Sequence, residues 1–117
     1  MKIAIVDDEE KYLDRIEKNV GDFFQKKNEL AEIFRYTSGK ILLMALTRGE
    51  YYDVYFLDVE MADLNGLELA KKIRELQKNV KIVLVTSFPK YMMDGYKIHA
   101  YYFVLKNDYQ TEISEVL

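Results

Sequence analysis

Five polar side chains stand at the ends of apolar runs that have the length of β-strands. The run over residues 2–7 leads into two carboxylates, and the runs over residues 52–58, 81–86 and 101–106 each end in one polar residue; the five side chains are Asp7, Asp8, Asp58, Thr86 and Lys106. A carboxylate can act as a nucleophile toward a phosphoryl group, while a cation, a hydroxyl and an ammonium neutralise charge on the transferred group. These residues could therefore transfer a phosphoryl group onto Asp58.

The apolar runs themselves predict the sheet that would position these residues. Most are continuous, which is typical of parallel strands buried on both faces. The run over residues 29–37 alternates between apolar and polar residues instead, which suits an edge strand. Five strands are therefore expected, one of them at an edge.

Segments with helical spacing separate the predicted strands. They cover residues 9–27, the segment from Ser38 as N-cap to Gly49, residues 67–76 after a turn at Asn65 and Gly66, residues 91–97 with Pro89 in the opening turn, and residues 111–117. Strands and helices thus alternate along the whole chain. This alternation predicts an α/β fold of a single domain over residues 1–117, a doubly wound five-stranded parallel sheet with helices on both faces.

The order of the strands decides whether the carboxylates meet. In the flavodoxin-like order 2-1-3-4-5, the first and third strands are neighbours at the point where the order reverses, and ligands bind there beyond the carboxyl ends of the strands. Asp7, Asp8 and Asp58 would then converge. Such a cluster calls for a cation, and oxygen ligands together with phosphate oxygens suit Mg²⁺.

Composition narrows the classes of function. The chain has no cysteine and His99 is its only histidine, so any metal must be held by oxygen atoms. The net charge of −3 provides no basic surface for a nucleic-acid backbone. No apolar run approaches the 18 or so residues of a membrane span, and no secretory signal is evident, so we expect a cytoplasmic protein.

Each aspartate alone is weak support for a site, because aspartates at strand ends commonly form turns and caps. The coincidence of all five residues favours a site. Flavin binding is disfavoured, since the first loop carries the acidic residues DDEE where a flavin phosphate needs N–H donors. An aspartyl phosphatase would need a second aspartate two residues after the nucleophile, where this chain has Glu60.

Four stretches resemble the receiver domain of bacterial-type response regulators, and the resemblance covers nearly the whole chain. They are IVDDE at residues 5–9, FLDVEMADLNGLELAKKIR at residues 56–74, VTS at residues 85–87 and YFVLK at residues 102–106. The resemblance implies a domain of a two-component system that is phosphorylated by a sensor histidine kinase. The alternative is an interaction module that keeps this fold and works independently of phosphorylation.

The resemblance also implies roles at the acidic end of the sheet. Asp58 corresponds to the phosphoacceptor. Asp8 corresponds to a direct Mg²⁺ ligand, Asp7 to a ligand through water, and the backbone carbonyl of Glu60 to a further ligand. The implied cofactor is therefore Mg²⁺, held together with Asp58 itself.

Three further residues correspond to the family's phosphoryl contacts and to its switch, which the resemblance assigns to Thr86 and Phe103. Thr86 and Lys106 correspond to the pair that contacts the phosphoryl oxygens, and Phe103 to the aromatic residue that reorients on activation. In the family, the activation surface lies on the fourth helix, fifth strand and fifth helix. The resemblance therefore implies a homodimer through that face.

Within the family, residues 86–106 are most similar to receivers of LytTR-type transcriptional regulators. DNA would then be contacted only by a domain beyond Leu117. From Thr111 only seven residues remain, so we expect the fifth helix to be truncated in this chain.

Two positions depart from the family pattern. Ala62 stands where the family has proline four residues after the acceptor, and Asn107 stands where it has proline after the lysine. The family's bond at the second position is typically cis, which costs about 3–4 kcal/mol without proline against roughly 0.5–1 kcal/mol with it. The sequence leaves open whether the Lys106–Asn107 bond is trans or a strained cis bond.

Overall fold

A computed structural model describes residues 1–106 of the chain. Its five strands are β1 (Lys2–Val6), β2 (Glu32–Tyr36), β3 (Val54–Asp58), β4 (Lys81–Thr86) and β5 (Tyr102–Leu105). They form one parallel sheet in the order β2-β1-β3-β4-β5. The predicted fold class and strand order are therefore confirmed, and the alternating segment becomes β2 at the edge of the sheet.

Four α-helices connect the strands within residues 1–106. They are α1 (Glu10–Lys26), α2 (Gly39–Thr47), α3 (Gly66–Leu76) and α4 (Met92–Lys97). Pro89 opens a separate 3₁₀ turn over Pro89–Tyr91 that precedes α4. The predicted fifth helix and the Lys106–Asn107 bond lie outside the described residues.

The start and the end of α2 follow the predicted capping chemistry, and α3 begins at a cap on Asn65, which was predicted as part of a turn. The Ser38 hydroxyl accepts a hydrogen bond from the Ile41 N–H, and the Asn65 side chain accepts one from the Glu68 N–H. Gly49 lies just beyond α2 with φ of 98°, a backbone conformation that is unfavourable for residues with a Cβ. These local signals fix where α2 and α3 begin and where α2 ends.

The sheet separates two apolar cores. Alternate residues of β1 point to opposite faces: Ile3 and Ile5 pack with α1, whereas Ala4 and Val6 belong to the core under α2 and α3. None of the helices within residues 1–106 combines the length and the apolar character needed to cross a membrane. With both faces covered, the sheet presents polar residues mainly at the strand ends.

Arg74 joins three parts of the chain at the end of the sheet opposite the aspartates. Its guanidinium donates to the carbonyls of Lys78 and Val80, which lie between α3 and β4, and to those of Ile98 and His99, which lie between α4 and β5. One side chain thus satisfies backbone acceptors in two loops. This contact explains how a helix as short as α4 is held in place.

We expect Arg74→Ala to lower the free energy of unfolding by about 1–3 kcal/mol, because several carbonyls lose a charged donor. Lys72→Ala is the control, since Lys72 lies exposed on the same helix. Urea denaturation of both variants measures the difference. Equal midpoints for the two variants would contradict this role of Arg74.

Candidate functional site

The register of β1 and β3 brings the first and third predicted carboxylates together. Val6 pairs with Leu57, so the next residues, Asp7 and Asp58, emerge side by side at the carboxyl edge of the sheet. Both are almost completely buried, with exposures of 0% and 1%, whereas Asp8 is exposed. One carboxylate oxygen from each of Asp7, Asp8 and Asp58 lies within 4.8 Å of the others.

Lys106 follows β5 and reaches into this carboxylate cluster. Its Nζ lies 3.0 Å from Asp7 Oδ2 and 3.1 Å from Asp58 Oδ1, and the side chain is 8% exposed. On α1, the ring of Tyr12 has its centroid 3.9 Å from the same Nζ. The ammonium is thus held by two carboxylates and an aromatic ring.

Burial shifts the protonation of these groups. Desolvation and the neighbouring charge of Asp7 raise the pKa of Asp58 to about 7, although Lys106 opposes the shift. Desolvation likewise raises the pKa of Asp7. For Lys106, burial lowers the pKa, but attraction to Asp58 and Asp7 outweighs burial, so the net shift is upward. The cluster therefore carries more negative charge than one ammonium can balance.

The charge of this cluster supports the fit of a cation. Lys106 Nζ lies 3.0 Å from Asp7 Oδ2 and 3.1 Å from Asp58 Oδ1, but three carboxylates share this single ammonium. Buried negative charge that is only partly balanced is unfavourable, and a metal ion would compensate it. The donors are all oxygens, which is the set that Mg²⁺ prefers. The residues present therefore fit the predicted cation.

Thr86 ends β4 at the same edge of the sheet, and its hydroxyl is engaged. It donates to the Glu60 carboxylate, 2.6 Å from Oε1 and in a closer contact with Oε2. The same oxygen accepts a hydrogen bond of 3.1 Å from the Phe88 N–H. The sequence indicated a role for the Glu60 backbone but not this contact of its side chain.

Phe103 lies on β5, where it pairs with Leu84 of β4, and it packs half-buried against the core that α3 contributes to. The structure thus brings Asp7, Asp8, Asp58 and Lys106 into one cluster, with Thr86 at the same edge. The Thr86–Phe103 coupling and the Glu60 carbonyl as a metal ligand remain predictions.

Gly66 brings the start of α3 against the end of β3, and its importance was not evident from the sequence. Its N–H donates to the Val59 carbonyl at 3.0 Å. A Cβ on Gly66 would lie 2.1 Å from the Asp58 carbonyl oxygen. The Asn-Gly pair was interpreted as a turn, but close backbone approach also requires glycine here.

Residues 3–117 match the response regulator receiver domain family. The chain belongs to this family, whose members are domains of two-component systems and not classical enzymes. The predicted resemblance is therefore confirmed.

The curated relatives include transcriptional regulators. The transcriptional regulatory protein LytR of Staphylococcus aureus is 30% identical over 120 residues, which cover 100% of this chain and 46% of LytR. The sensory transduction protein LytT of Enterococcus faecalis is 29% identical over 65 residues, 56% of this chain and 27% of that protein. This chain spans less than half the length of these relatives.

Solved structures agree on the fold. The response regulatory domain of protein mrkE from Klebsiella pneumoniae superposes with a TM-score of 0.87 at 23% identity, covering 99% of this chain and 91% of that one. A DNA-binding response regulator of the LuxR family from Staphylococcus aureus superposes with a TM-score of 0.79 at 25% identity, covering 98% of this chain and 93% of that one.

We expect Gly66→Ala to lower the free energy of unfolding by about 1–3 kcal/mol, because the added methyl group would overlap the Asp58 backbone. Gly21→Ala is a control of identical chemistry. A Cβ on Gly21, inside α1, would meet nothing within 4 Å, so this change should stabilise by about 0.5–1 kcal/mol. Thermal denaturation should give shifts of opposite sign; shifts of the same sign would contradict the close approach.

Proposed function

We propose that this chain accepts a phosphoryl group on Asp58 from a sensor histidine kinase, with Mg²⁺ bound, and thereby switches an output that controls transcription. The observation that carries the proposal is the buried Asp58 carboxylate, 3.1 Å from Lys106 Nζ and clustered with Asp7 and Asp8. A site of this kind combines a nucleophile with groups that balance charge.

In the proposed reaction, one Asp58 oxygen forms a bond to phosphorus as the P–N bond of a phosphohistidine breaks, and the imidazole leaves with that electron pair. Asp7, Asp8, Asp58 and the Glu60 carbonyl would hold Mg²⁺, which neutralises the carboxylates and the phosphoryl oxygens when bound. Lys106 balances the charge on a second side. The chain thus supplies the nucleophile and its surroundings, while the donor supplies the leaving group.

The proposed switch passes through Thr86. A hydroxyl that donates to Glu60 in the resting state would donate to a phosphoryl oxygen after phosphorylation, and Phe103 would reorient with it. Phosphorylation would shift an existing equilibrium between two states. The face formed by α4, β5 and the following segment would then dimerise; it exposes the large apolar residues Met92, Met93 and Tyr96.

The longer protein would extend this role. Its relatives support an output in transcription, with DNA contacted by a domain outside this chain. The cytoplasmic location and the single domain over residues 1–117 likewise remain predictions.

A second function is an interaction module that works independently of phosphorylation. Ala62 favours it, since it lines an open cavity of about 400 Å³ together with Glu60 and Tyr91, beside the acceptor loop. A loop without the family's proline is less restrained. Titration with Mg²⁺ separates the two functions, because the pure interaction module should not respond.

We expect the wild-type chain, incubated with Mg²⁺ and acetyl phosphate, to gain the mass of one phosphoryl group. Asp58→Asn should abolish the gain, because an amide is not a nucleophile for this transfer. Intact-mass spectrometry measures both. Asp53→Asn is the control, since Asp53 precedes the same strand at its opposite end.

A wild-type chain that gains no mass, or an Asp58→Asn chain that still gains it, would refute the proposal. If the wild-type chain binds Mg²⁺ but gains no phosphoryl group, the metal site is present and the transfer function is absent.

We expect Glu60→Ala to accelerate phosphorylation by acetyl phosphate about threefold to tenfold, since Thr86 is then free to meet the phosphoryl oxygens. Glu60→Ala also removes a negative charge near the anionic phosphodonor. The effect of Glu60→Ala is therefore measured a second time in a chain that carries Thr86→Val and so lacks the hydroxyl. If the hydrogen bond is responsible, Glu60→Ala has a much smaller effect in that background. An equal acceleration in both backgrounds would assign the effect to charge alone.

A further inference from the structure

The ammonium of Lys106 is enclosed on two sides by different kinds of partner. Asp7 Oδ2 and Asp58 Oδ1 lie 3.0 and 3.1 Å from Nζ, and the centroid of the Tyr12 ring lies 3.9 Å from it. A lysine has a flexible four-carbon stem, so its charge occupies one position only when its surroundings define that position. The carboxylates attract the ammonium inward, and the ring limits where it can move.

The turn between β1 and α1 fixes the ring relative to the carboxylates. The Glu9 N–H donates to Asp7 Oδ1 at 2.9 Å, and the Tyr12 N–H donates to the Glu9 carbonyl at 3.1 Å. Tyr12 is also half-buried against the core between α1 and the sheet. Two consecutive hydrogen bonds therefore tie the backbone of Tyr12 to Asp7, and partial burial restricts the ring.

The ring has more than one cationic neighbour, but they differ in distance and exposure. Lys11 Nζ lies 5.1 Å and Arg15 Cζ lies 5.6 Å from the ring centroid, and both residues are exposed on α1. Lys106 is closer and is 8% exposed. A cation–π interaction is stronger where water is excluded, so Lys106 is the cation that the ring influences most.

We propose that Tyr12 is a positioning residue for phosphoryl transfer, because its ring holds the Lys106 ammonium against the acceptor carboxylate. This inference rests on the proposed function and adds a group from α1 that acts only through Lys106. When the charge on Asp58 changes on phosphorylation, the ring keeps the ammonium at the same edge of the sheet, ready to meet the phosphoryl oxygens. This role is assigned to the aromatic ring, whose centroid lies 3.9 Å from Lys106 Nζ.

Two substitutions separate the ring from the hydroxyl. Tyr12→Phe keeps the aromatic face, and Tyr12→Leu removes it while keeping an apolar side chain of moderate size. Tyr51→Leu is the matched control. Tyr51 is 59% exposed, and its ring centroid lies 5.8 Å from the Nζ of Lys2, which is at the opposite end of β1 from Asp7. Thermal denaturation of each variant establishes that the chains compared are folded.

The rate of phosphorylation is measured at saturating Mg²⁺ and saturating acetyl phosphate. We expect Tyr12→Leu to reduce the maximal rate roughly threefold to thirtyfold, the range that one cation–π interaction spans. Tyr12→Phe and Tyr51→Leu should retain the wild-type rate. A Tyr12→Leu chain that is phosphorylated as fast as wild type, or a Tyr12→Phe chain as slow as Tyr12→Leu, would overturn the inference.

A spectroscopic measurement tests the positioning without phosphorylation. Protons above an aromatic face shift upfield, so the ε-methylene signals of Lys106 should be upfield in the wild type and in Tyr12→Phe. They should return to ordinary lysine positions in Tyr12→Leu; Lys106→Ala assigns them. If the wild-type chain takes no phosphoryl group, the proposed function fails, but the upfield signals still decide whether the ring holds the ammonium. Lys106 signals at ordinary positions in the wild type would overturn the positioning role of Tyr12.

Discussion

Two carboxylates buried side by side are the constraint around which the rest of the molecule is arranged. Asp7 and Asp58 are almost fully removed from water, and a single ammonium from Lys106 lies between them. A buried charge is stable only when it is paired, and one cation cannot balance two anions. Burial, together with the neighbouring charge of Asp7, raises the pKa of Asp58 to about 7. A divalent cation or a proton would relieve the remaining negative charge.

The topology makes this unfavourable arrangement possible. Adjacent parallel strands β1 and β3 end at the same edge, and nearly all their residues are buried, so Asp7 and Asp58 lie side by side in a buried position. Gly66 then lets α3 begin in contact with the Asp58 backbone. Apolar burial in the two cores offsets the unfavourable burial of the charged cluster. The polar site lies at the strand ends, outside both cores.

The sequence predicted the backbone of this site better than its side-chain contacts. Continuous apolar runs placed Asp7 and Asp58 at the ends of parallel strands, and the order 2-1-3-4-5 made those two strands neighbours. The Thr86–Glu60 hydrogen bond and the approach of Tyr12 to Lys106 depend on rotamers and on packing between distant segments, which periodicity does not encode. Pro89 likewise began a 3₁₀ turn separate from α4, since tertiary packing determines how a short helix starts.

In the described structure, both cationic and hydroxyl partners proposed for a phosphoryl group are already engaged. Lys106 contacts two carboxylates and a ring, while Thr86 donates to Glu60. Phosphorylation would therefore exchange existing contacts for new ones, and the equilibrium between the two states would depend on the difference between the two sets of interactions. Residues such as Glu60 and Tyr12 contact these partners without accepting the phosphoryl group, so they would influence how readily the domain responds.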